Sequence, residues 1–322
     1  MTTSIEGTTA DVAAARPTGS PPDPETPATS AVRHRRPLWL MWPTLLLLTA
    51  VIVVPLVIGT AISFLDLDQY SLRDWTSAPA VGMANYVEAL QQSGLLHSIW
   101  VSLSFSLLTT AVCTPVGLLA ALAVNTRFRG RLVVRSLFLV PYVIPSFVTA
   151  TLWRMILQPD GILNRLLGVV GIDGGQWLIG GRSFWALVIV DCWASWPFIY
   201  MMAVAGLQNV PDELYEAADV DGTAWFSKIR YVVIPQIAGP LSLGLLLSVL
   251  QHFNNFTLPF VLLGSPAPQP ALTLPVNVFQ TSFQVFRFGL GGAMSVVTLV
   301  IMLIPGVLYL RASRLNSRQA TA

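Results

Sequence analysis

Residues 38–64 have the sequence LWLMWPTLLLLTAVIVVPLVIGTAISF, which contains no acidic or basic side chain. A helix needs about 20 consecutive apolar residues to cross a bilayer, so this stretch is long enough to form a transmembrane helix. Five further runs of this kind follow, at residues 99–124, 133–157, 183–206, 236–262 and 290–310. The six runs and their connections use nearly all of the sequence after residue 36, which predicts that no large soluble domain is present.

The composition supports a membrane protein. The 322-residue chain is 54% hydrophobic and only 11% charged, whereas soluble domains contain about 25% charged residues. The apolar residues occur in long runs and do not alternate with polar ones, which disfavours a transmembrane barrel. We therefore expect an all-α integral membrane protein, with a six-transmembrane-helix bundle over residues 37–318. Residues 1–36 are rich in Thr, Ala, Pro and Ser, and we interpret them as a disordered cytoplasmic tail.

Basic residues are distributed unevenly among the connections. They cluster before the first run, between the second and third, between the fourth and fifth, and after the sixth: Arg33, Arg35, Arg36, Arg127, Arg129, Arg131, Arg135, Lys228, Arg230, Arg311, Arg314 and Arg318. Because positive charge concentrates on the cytoplasmic side of a membrane, both termini are predicted to be cytoplasmic. The clusters flank spans, so they indicate orientation, and we expect no nucleic-acid partner. The opposite connections, at residues 65–97 and 158–182, are expected to form short interfacial helices and loops.

The connection between the fourth and fifth runs begins with a helix-start pattern. Pro211, followed by two acidic residues, predicts a helix that continues to about residue 221. Gly222 can end this helix in the left-handed conformation, and a second short helix is expected over residues 224–233. The apolar residues of this connection indicate either docking onto another protein or packing against the chain's own spans; they are Leu214, Ala217, Ala218, Trp225 and Phe226.

The same connection resembles the EAA loop of the permease subunits of binding-protein-dependent ABC importers. The matching residues, within the loop at 209–235, are Glu216, Ala217, Ala218, Gly222, Val232, Ile234 and Pro235. The family pattern is E-A-A, three residues, G, nine residues and I-x-L-P, from which Val232 and Ile234 depart conservatively. The resemblance implies a type I importer permease fold and a coupling loop that docks into a cleft on an ATPase subunit. In that loop Glu216 makes polar contact with the ATPase, and Gly222 permits the turn.

The resemblance extends from about residue 40 to residue 318. The chain strongly resembles the larger permease subunit of maltose-type importers. Its supporting stretches are VPYVIPSF (140–147), GILNRL (161–166), WASWPF (193–198) and FNNF (253–256). It implies a sugar importer in the bacterial cytoplasmic (inner) membrane. The implied partners are a second homologous permease subunit, two ATPase subunits, an extracytoplasmic sugar-binding protein and membrane lipid. The single lysine, Lys228, has no preceding glycine and forms no P-loop. ATP and Mg are therefore expected on the separate ATPase, with no catalytic residue, metal or cofactor in this chain.

Nine side chains in the third, fourth and fifth runs are candidates for substrate binding, because polar groups in a span usually face a cavity or a partner. Those of the third run lie beside two prolines, those of the fourth share a face with its acid, and those of the fifth recur at helical spacing. The candidates are Tyr142, Ser146, Asp191, Ser195, Phe198, Ser248, Gln251, His252 and Asn255. The resemblance implies that these positions correspond to sugar-contacting residues of the maltose-type permease.

Each candidate also has a structural alternative. Asp191 could pair with Arg154 or with a helix of the partner subunit, and His252 could be a packing residue. Gln251 and Asn255 could hydrogen-bond between helices. The prolines could kink the spans for packing, or break them where a transporter binds its substrate. The negative charge of Asp191 favours a neutral di- or oligosaccharide over a glycerol-phosphate-type solute.

Two other classes of function compete with the importer hypothesis. A secondary transporter could use Asp191 as a proton or cation site, but this leaves the loop at 209–235 unexplained. A membrane-embedded enzyme would need paired carboxylates, metal-spaced histidines or a nucleophile motif, and the sequence shows none of these.

Overall fold

The computed structural model describes residues 42–126 and 128–319, and within them the regular structure is helical. The expected disordered tail, residues 1–36, lies outside the described residues. We number the helices as α1 (Trp42–Ile62), α2 (Ala84–Gln91), α3 (Leu95–Ala123), α4 (Arg131–Val143), α5 (Ser146–Ile156), α6 (Ile162–Val169), α7 (Arg182–Leu207), α8 (Asp212–Val220), α9 (Trp225–Phe253), α10 (Thr257–Leu263), α11 (Leu274–Phe279) and α12 (Phe288–Gln319).

Five of these helices are long and apolar enough to cross a membrane, namely α1, α3, α7, α9 and α12. The pair α4 and α5 forms a sixth candidate span that is bent by 85°. The third span expected at 133–157 is therefore present as a broken span, and of the two roles left open for its prolines the structure shows the break. The break falls at Ile144, whose ψ of 129° is extended, because a residue before proline avoids the helical region and Pro145 follows it.

The expectation of a separate short helix at 224–233 is wrong, and the fifth span, expected at 236–262, begins and ends earlier. Helix α9 runs continuously from Trp225 to Phe253 and contains a π-helical stretch at Ile229–Val233. Proline lacks an N–H and crowds the preceding turn, and the wider π turn just before Pro235 accommodates it without ending the helix. The chain then breaks after Phe253, and α10 begins at Thr257.

The chain divides into two compact units, the first of which ends at Thr49. The first unit is described only from Trp42, and its residues up to Leu48 are helical. All packing reported below lies within the second unit, which begins at Ala50.

Helices α3, α7 and α9 pack closely against one another. A Cβ added at Gly117 of α3 would lie 2.8 Å from the backbone N of Tyr200 and 2.9 Å from Cβ of Ile199, both in α7. A Cβ at Gly244 of α9 would lie 2.8 Å from Cγ of Met202. Small residues allow membrane helices to approach closely where packing, and not water exclusion, drives association.

A second buried cluster places α5 and α10 against α7 and α3. It includes Ala150 of α5, Leu187 of α7, Leu258 and Leu262 of α10, and Phe105 of α3. Since α5 and α10 follow the breaks after α4 and α9, this cluster brings both breaks to the same region of α7.

The connections at 65–97 and 158–182 contain the short helices α2 and α6, as expected. The Asn85 side chain at the start of α2 is buried and donates to the carbonyl oxygens of Ser63 and Leu65, each at 2.9 Å. Asn164 of α6 donates to the carbonyl of Gly175 at 2.8 Å and accepts from Trp177 Nε1 at 2.8 Å. These amide side chains connect each short helix to the neighbouring loop.

Candidate functional site

A cavity of about 800 Å³ lies where the break between α4 and α5 faces α7 and the end of α9. The wall from α4 and α5 is formed by the broken stretch at 141–146, where the helical pattern of backbone hydrogen bonds is interrupted. Seven of the nine candidates line this cavity, namely Tyr142, Ser146, Asp191, Ser195, Gln251, His252 and Asn255. Three separate spans thus contribute candidate residues to one cavity.

Asp191 and His252 form a buried pair at the edge of the cavity. Nδ1 of His252 lies 2.6 Å from Oδ2 of Asp191, and each side chain is 4% exposed. Asn255 Nδ2 donates to the other carboxylate oxygen at 3.1 Å. A buried carboxylate needs nearby partners to offset its loss of hydration. His252 in the last turn of α9 and Asn255 in the break that follows α9 are those partners.

The alternative partner for Asp191, Arg154, is not used in this structure. Nη1 of Arg154 instead donates to the carbonyl oxygen of Val261 at 3.2 Å. The pairing of Asp191 is therefore with α9 of the same chain. Asp191 therefore lines the cavity with only a small exposed part of its side chain, and His252 and Asn255 hold that side chain in position.

A polar relay continues from His252 into α3. Nε2 of His252 lies 3.1 Å from Oγ of Ser248, which lies 3.2 Å from Oγ1 of Thr110. If Nδ1 carries the proton that faces Asp191, Nε2 is left as the acceptor for the Ser248 hydroxyl, and Ser248 then accepts from Thr110. The relay fixes the orientation of the imidazole ring.

The two remaining candidates lie behind the lining. Ser248 is buried and reaches the cavity through His252. Phe198 is 8% exposed and stacks on Tyr142 with ring centroids 6.2 Å apart. The structure therefore places both as supports of lining residues, Ser248 for His252 and Phe198 for Tyr142.

Several lining residues were not predicted, including Leu247, Leu250, Asn254, Phe256 and Thr257. The last three lie at the break between α9 and α10. The sequence signal for them was the FNNF stretch at 253–256, in which two amides interrupt an apolar run.

The lining contains both polar and aromatic groups but little charge. Among the described residues that line the cavity, Asp191 and His252 are the only members of the acidic and basic residue types. The aromatic rings of Tyr142 and Phe256 lie among serine, threonine and asparagine side chains. Such a surface can stack on apolar faces and exchange hydrogen bonds with hydroxyl groups.

The predicted coupling loop has the expected helix and turn. Helix α8 begins at Asp212, with Pro211 as its N-cap one residue outside the predicted first position. Gly222 has φ of +63°, which confirms the left-handed turn, and the amide of Thr223 donates to the carbonyl of Ala218 at 3.0 Å.

The apolar residues of the loop divide between self-packing and exposure. Leu214 packs against the core of α3, α7 and α9, and Ala218 is buried. Trp225 and Phe226 are 63% and 68% exposed, and Ala217 is exposed as well. Self-packing therefore explains one face of the loop and leaves the other face uncovered.

Polar contacts hold the loop in place. Lys228 forms an ion pair with Asp219 across the Gly222 turn. Burial raises the pKa of Tyr215, whose hydroxyl accepts from Asn125 Nδ2 at 3.5 Å. Glu216 and Pro235 are exposed. Glu216, Ala217 and Pro235 of the EAA pattern are thus accessible, whereas Ala218 is buried against the rest of the chain.

Comparison with known proteins identifies the family. Residues 113–320 match the family described as "Binding-protein-dependent transport system inner membrane component". The chain belongs to this family. The trehalose/maltose transport system permease protein MalF of Thermococcus litoralis is 30% identical over 290 residues, which cover 89% of this chain and 97% of that protein. The sulfoquinovosyl glycerol transport system permease protein SmoG of Agrobacterium fabrum is 26% identical over 277 residues, covering 85% and 89%.

The fold of this inner-membrane component is shared with a solved structure. A chain of a bacterial ABC transporter involved in the import of the acidic polysaccharide alginate superposes with a TM-score of 0.72 at 22% identity, covering 85% of this chain and 96% of that one. The protein is an ABC importer permease and not itself a catalytic subunit; nucleotide binding belongs to a separate ATPase. Family membership removes the support for the secondary-transporter and enzyme hypotheses.

Proposed function

We propose that this permease translocates a neutral di- or oligosaccharide into the cytoplasm by alternating access, and that the 800 Å³ cavity holds the sugar during transport. The observation that carries the proposal is the convergence of seven predicted side chains from three spans on this cavity. Pockets of about 300–1,000 Å³ are typical of small-molecule sites, so the volume suits a sugar of this size. The name of the Thermococcus litoralis relative, a trehalose/maltose permease, supports the same class.

The charge of the cavity favours a neutral sugar over a phosphate ester. The described lining residues include Asp191 and no arginine or lysine. An anionic solute would be repelled by the carboxylate and would lack a cationic partner. A neutral sugar can instead donate its hydroxyl groups to Asp191 and stack on the ring of Tyr142.

The coupling segment completes the proposed mechanism. By this proposal both termini and α8 lie on the cytoplasmic side, where Glu216, Ala217 and the exposed rings of Trp225 and Phe226 contact an ATPase subunit. Ala218 is buried against the rest of the chain, Gly222 forms the turn of the loop, and Pro235 lies at its end. Closure of two ATPase subunits moves this loop. Helices α7 and α9, which pack closely against each other, then move together against a second, homologous permease subunit.

The substrate test uses the assembled transporter in proteoliposomes. This chain is co-expressed with the permease, ATPase and binding-protein genes that neighbour it. ATPase activity and uptake are measured with maltose, trehalose, sucrose, cellobiose, maltotriose and glycerol 3-phosphate. We expect stimulation by one of the neutral sugars and none by the phosphate ester. Stimulation by glycerol 3-phosphate alone would overturn the neutral-sugar assignment while leaving the family intact.

The coupling role has its own variants. Gly222→Pro should abolish uptake, since proline cannot adopt a φ of +63°, while membrane insertion remains normal. Glu216→Ala should reduce the sugar stimulation of ATPase activity. Val220→Ala is the matched control, because Val220 is 88% exposed on the same helix and lies outside the EAA pattern. Normal uptake by the Gly222→Pro variant would show that this turn does not couple the two subunits.

A further inference from the structure

A groove of about 380 Å³ lies between the first turns of α4 and the last turns of α7. In the orientation proposed above, this is the cytoplasmic end of both helices, because α7 leads into the coupling loop. The groove shares no lining residue with the 800 Å³ cavity among the residues that the structure describes. Its polar lining residues are Arg135, Ser136, Tyr200 and Gln208, and the others are apolar.

The guanidinium group of Arg135 lacks a strong hydrogen-bond acceptor. Its Nε atom is buried and has no acceptor within the described part of the chain. Its Nη2 atom lies 3.5 Å from the carbonyl oxygen of Val124, which is longer than an ordinary N–H···O hydrogen bond. Removing a charged group from water costs free energy unless an opposite charge or hydrogen bonds compensate it. Arg135 therefore needs an acceptor that the described residues do not provide.

A second arginine already occupies the same carbonyl. Nε of Arg131, one turn earlier in α4, donates to the oxygen of Val124 at 2.6 Å. Val124 is the C-cap of α3, so this contact places a cation at the negative end of that helix dipole and accounts for Arg131. Like charges at positions i and i+4 of a helix repel each other. Over the ranges 42–126 and 128–319, no carboxylate lies within 4.0 Å of either guanidinium. An anion beside Arg135 would supply the missing acceptor and offset this repulsion.

The surroundings of Arg135 suit an anion that carries an apolar chain. Tyr200 and Gln208 add a hydroxyl and an amide group to the groove, and both groups can donate hydrogen bonds to phosphate oxygens. Beside these donors, α4 presents an apolar face to its exterior: Leu132, Val133 and Leu137 are 76%, 63% and 60% exposed. Leu132 belongs to this face and also lines the groove. A cation next to an exposed apolar helix face matches the headgroup and the acyl chain of a phospholipid.

We infer that this groove binds an anionic phospholipid of the cytoplasmic leaflet, with the phosphate beside Arg135 and an acyl chain along Leu132. Basic pockets between transmembrane helices on the cytoplasmic side recognise anionic headgroups, and the negative surface of that leaflet supplies them. A free phosphate would satisfy the guanidinium but leave the apolar walls uncovered, which favours the lipid. The inference uses the membrane orientation of the proposed function and does not depend on its sugar.

The experiment measures lipid binding to the whole purified transporter by native mass spectrometry, without sugar. The complex is titrated with phosphatidylglycerol, with phosphatidylcholine of the same acyl chains, and with inorganic phosphate. Arg135→Gln removes the charge and Arg135→Lys keeps it, whereas Ala205→Trp fills the groove from an exposed position and leaves Arg135 in place. Arg129→Gln is the matched control, because Arg129 is exposed on the same basic connection and does not line the groove.

We expect the wild type to prefer phosphatidylglycerol to phosphatidylcholine, and Arg135→Gln and Ala205→Trp to raise the Kd for phosphatidylglycerol by about 5-fold, the effect of one cationic contact with an anionic headgroup. Arg135→Lys and Arg129→Gln should keep most of the affinity, and inorganic phosphate should not compete.

Two results would overturn the lipid site. Equal losses for Arg129→Gln and Arg135→Gln would show a diffuse attraction to surface charge. Normal phosphatidylglycerol binding by an Arg135→Gln variant that no longer co-purifies with the second permease subunit would assign an acidic side chain of that subunit as the partner of Arg135. If Arg135→Gln does not assemble, Ala205→Trp still decides between the outcomes. Because no sugar is present, failure of the sugar assignment would change none of these results.

Discussion

Replacement of His252 by leucine should destabilise the permease more than replacement of both His252 and Asp191. The two side chains are each 4% exposed, and Nδ1 of His252 lies 2.6 Å from Oδ2 of Asp191. Removal of one member of a buried pair costs about 3–5 kcal/mol, whereas replacement of both by apolar residues is often neutral. We therefore expect the double variant to recover about 3 kcal/mol relative to the single variants. For a unit of this size that corresponds to about 6–12 °C in the midpoint of thermal unfolding.

The assay for this pair is size-exclusion chromatography of the purified complex after heating. The variants are His252→Leu, Asp191→Leu and the double variant, and a second cycle combines Asp191→Leu with Arg154→Leu. The Arg154 cycle should be additive, because Arg154 contacts the carbonyl of Val261 and not the carboxylate. A double variant of His252 and Asp191 that loses the sum of the two single effects would refute the pairing. Coupling in the Arg154 cycle instead would restore the alternative partner.

Gly117→Ala should destabilise the complex by about 1–3 kcal/mol and lower its midpoint of thermal unfolding, because the new Cβ would lie 2.8 Å from the backbone N of Tyr200. Gly306→Ala is the control and should not lower the midpoint, because its Cβ would meet no atom within 4 Å. Arg287 holds the pKa of the Glu88 carboxyl below its usual value. Stabilisation by this pair is therefore complete at neutral pH and is lost as the pH falls through that lowered pKa. The midpoint difference between the wild type and Glu88→Gln should shrink below about pH 4.3; a difference that stays constant down to pH 3.5 would argue against the ion pair. Asn164→Ala should increase protease cleavage within residues 158–182, because one amide joins α6 to the following loop; unchanged cleavage would show that other contacts suffice.

Several features of the coupling segment could be predicted from local sequence because they depend on local chemistry. Pro211 with two following acids marks a helix start, and Gly222 provides a left-handed residue without a Cβ penalty. The structure has the helix at Asp212–Val220 and φ of +63° at Gly222. The second helix could not be predicted in the same way, because a proline ordinarily ends a helix. Only the packed structure shows the π turn before Pro235 that lets α9 continue.

The candidate site was predictable as a set of residues and not as a set of contacts. Helical spacing placed Gln251, His252 and Asn255 on one face. The partner of Asp191 was left open between Arg154 and another subunit. The contact between His252 and Asp191 depends on the approach of α7 and α9, because the two residues are about 60 positions apart in the sequence.

The sequence by itself determined that the chain crosses a membrane and how many spans it has, because the cost of placing charge in lipid acts on each segment independently of its neighbours. The tertiary structure decided which residues meet. The bend of 85° at Ile144 turns α5 away from α4, and the break after Phe253 brings Asn254 and Phe256 into the lining of the 800 Å³ cavity. The bend and the break both depend on contacts between helices that are distant in sequence. A proline or an amide side chain permits a break, but only the packing of neighbouring spans compensates the backbone N–H and C=O groups that the break leaves without a helical hydrogen bond.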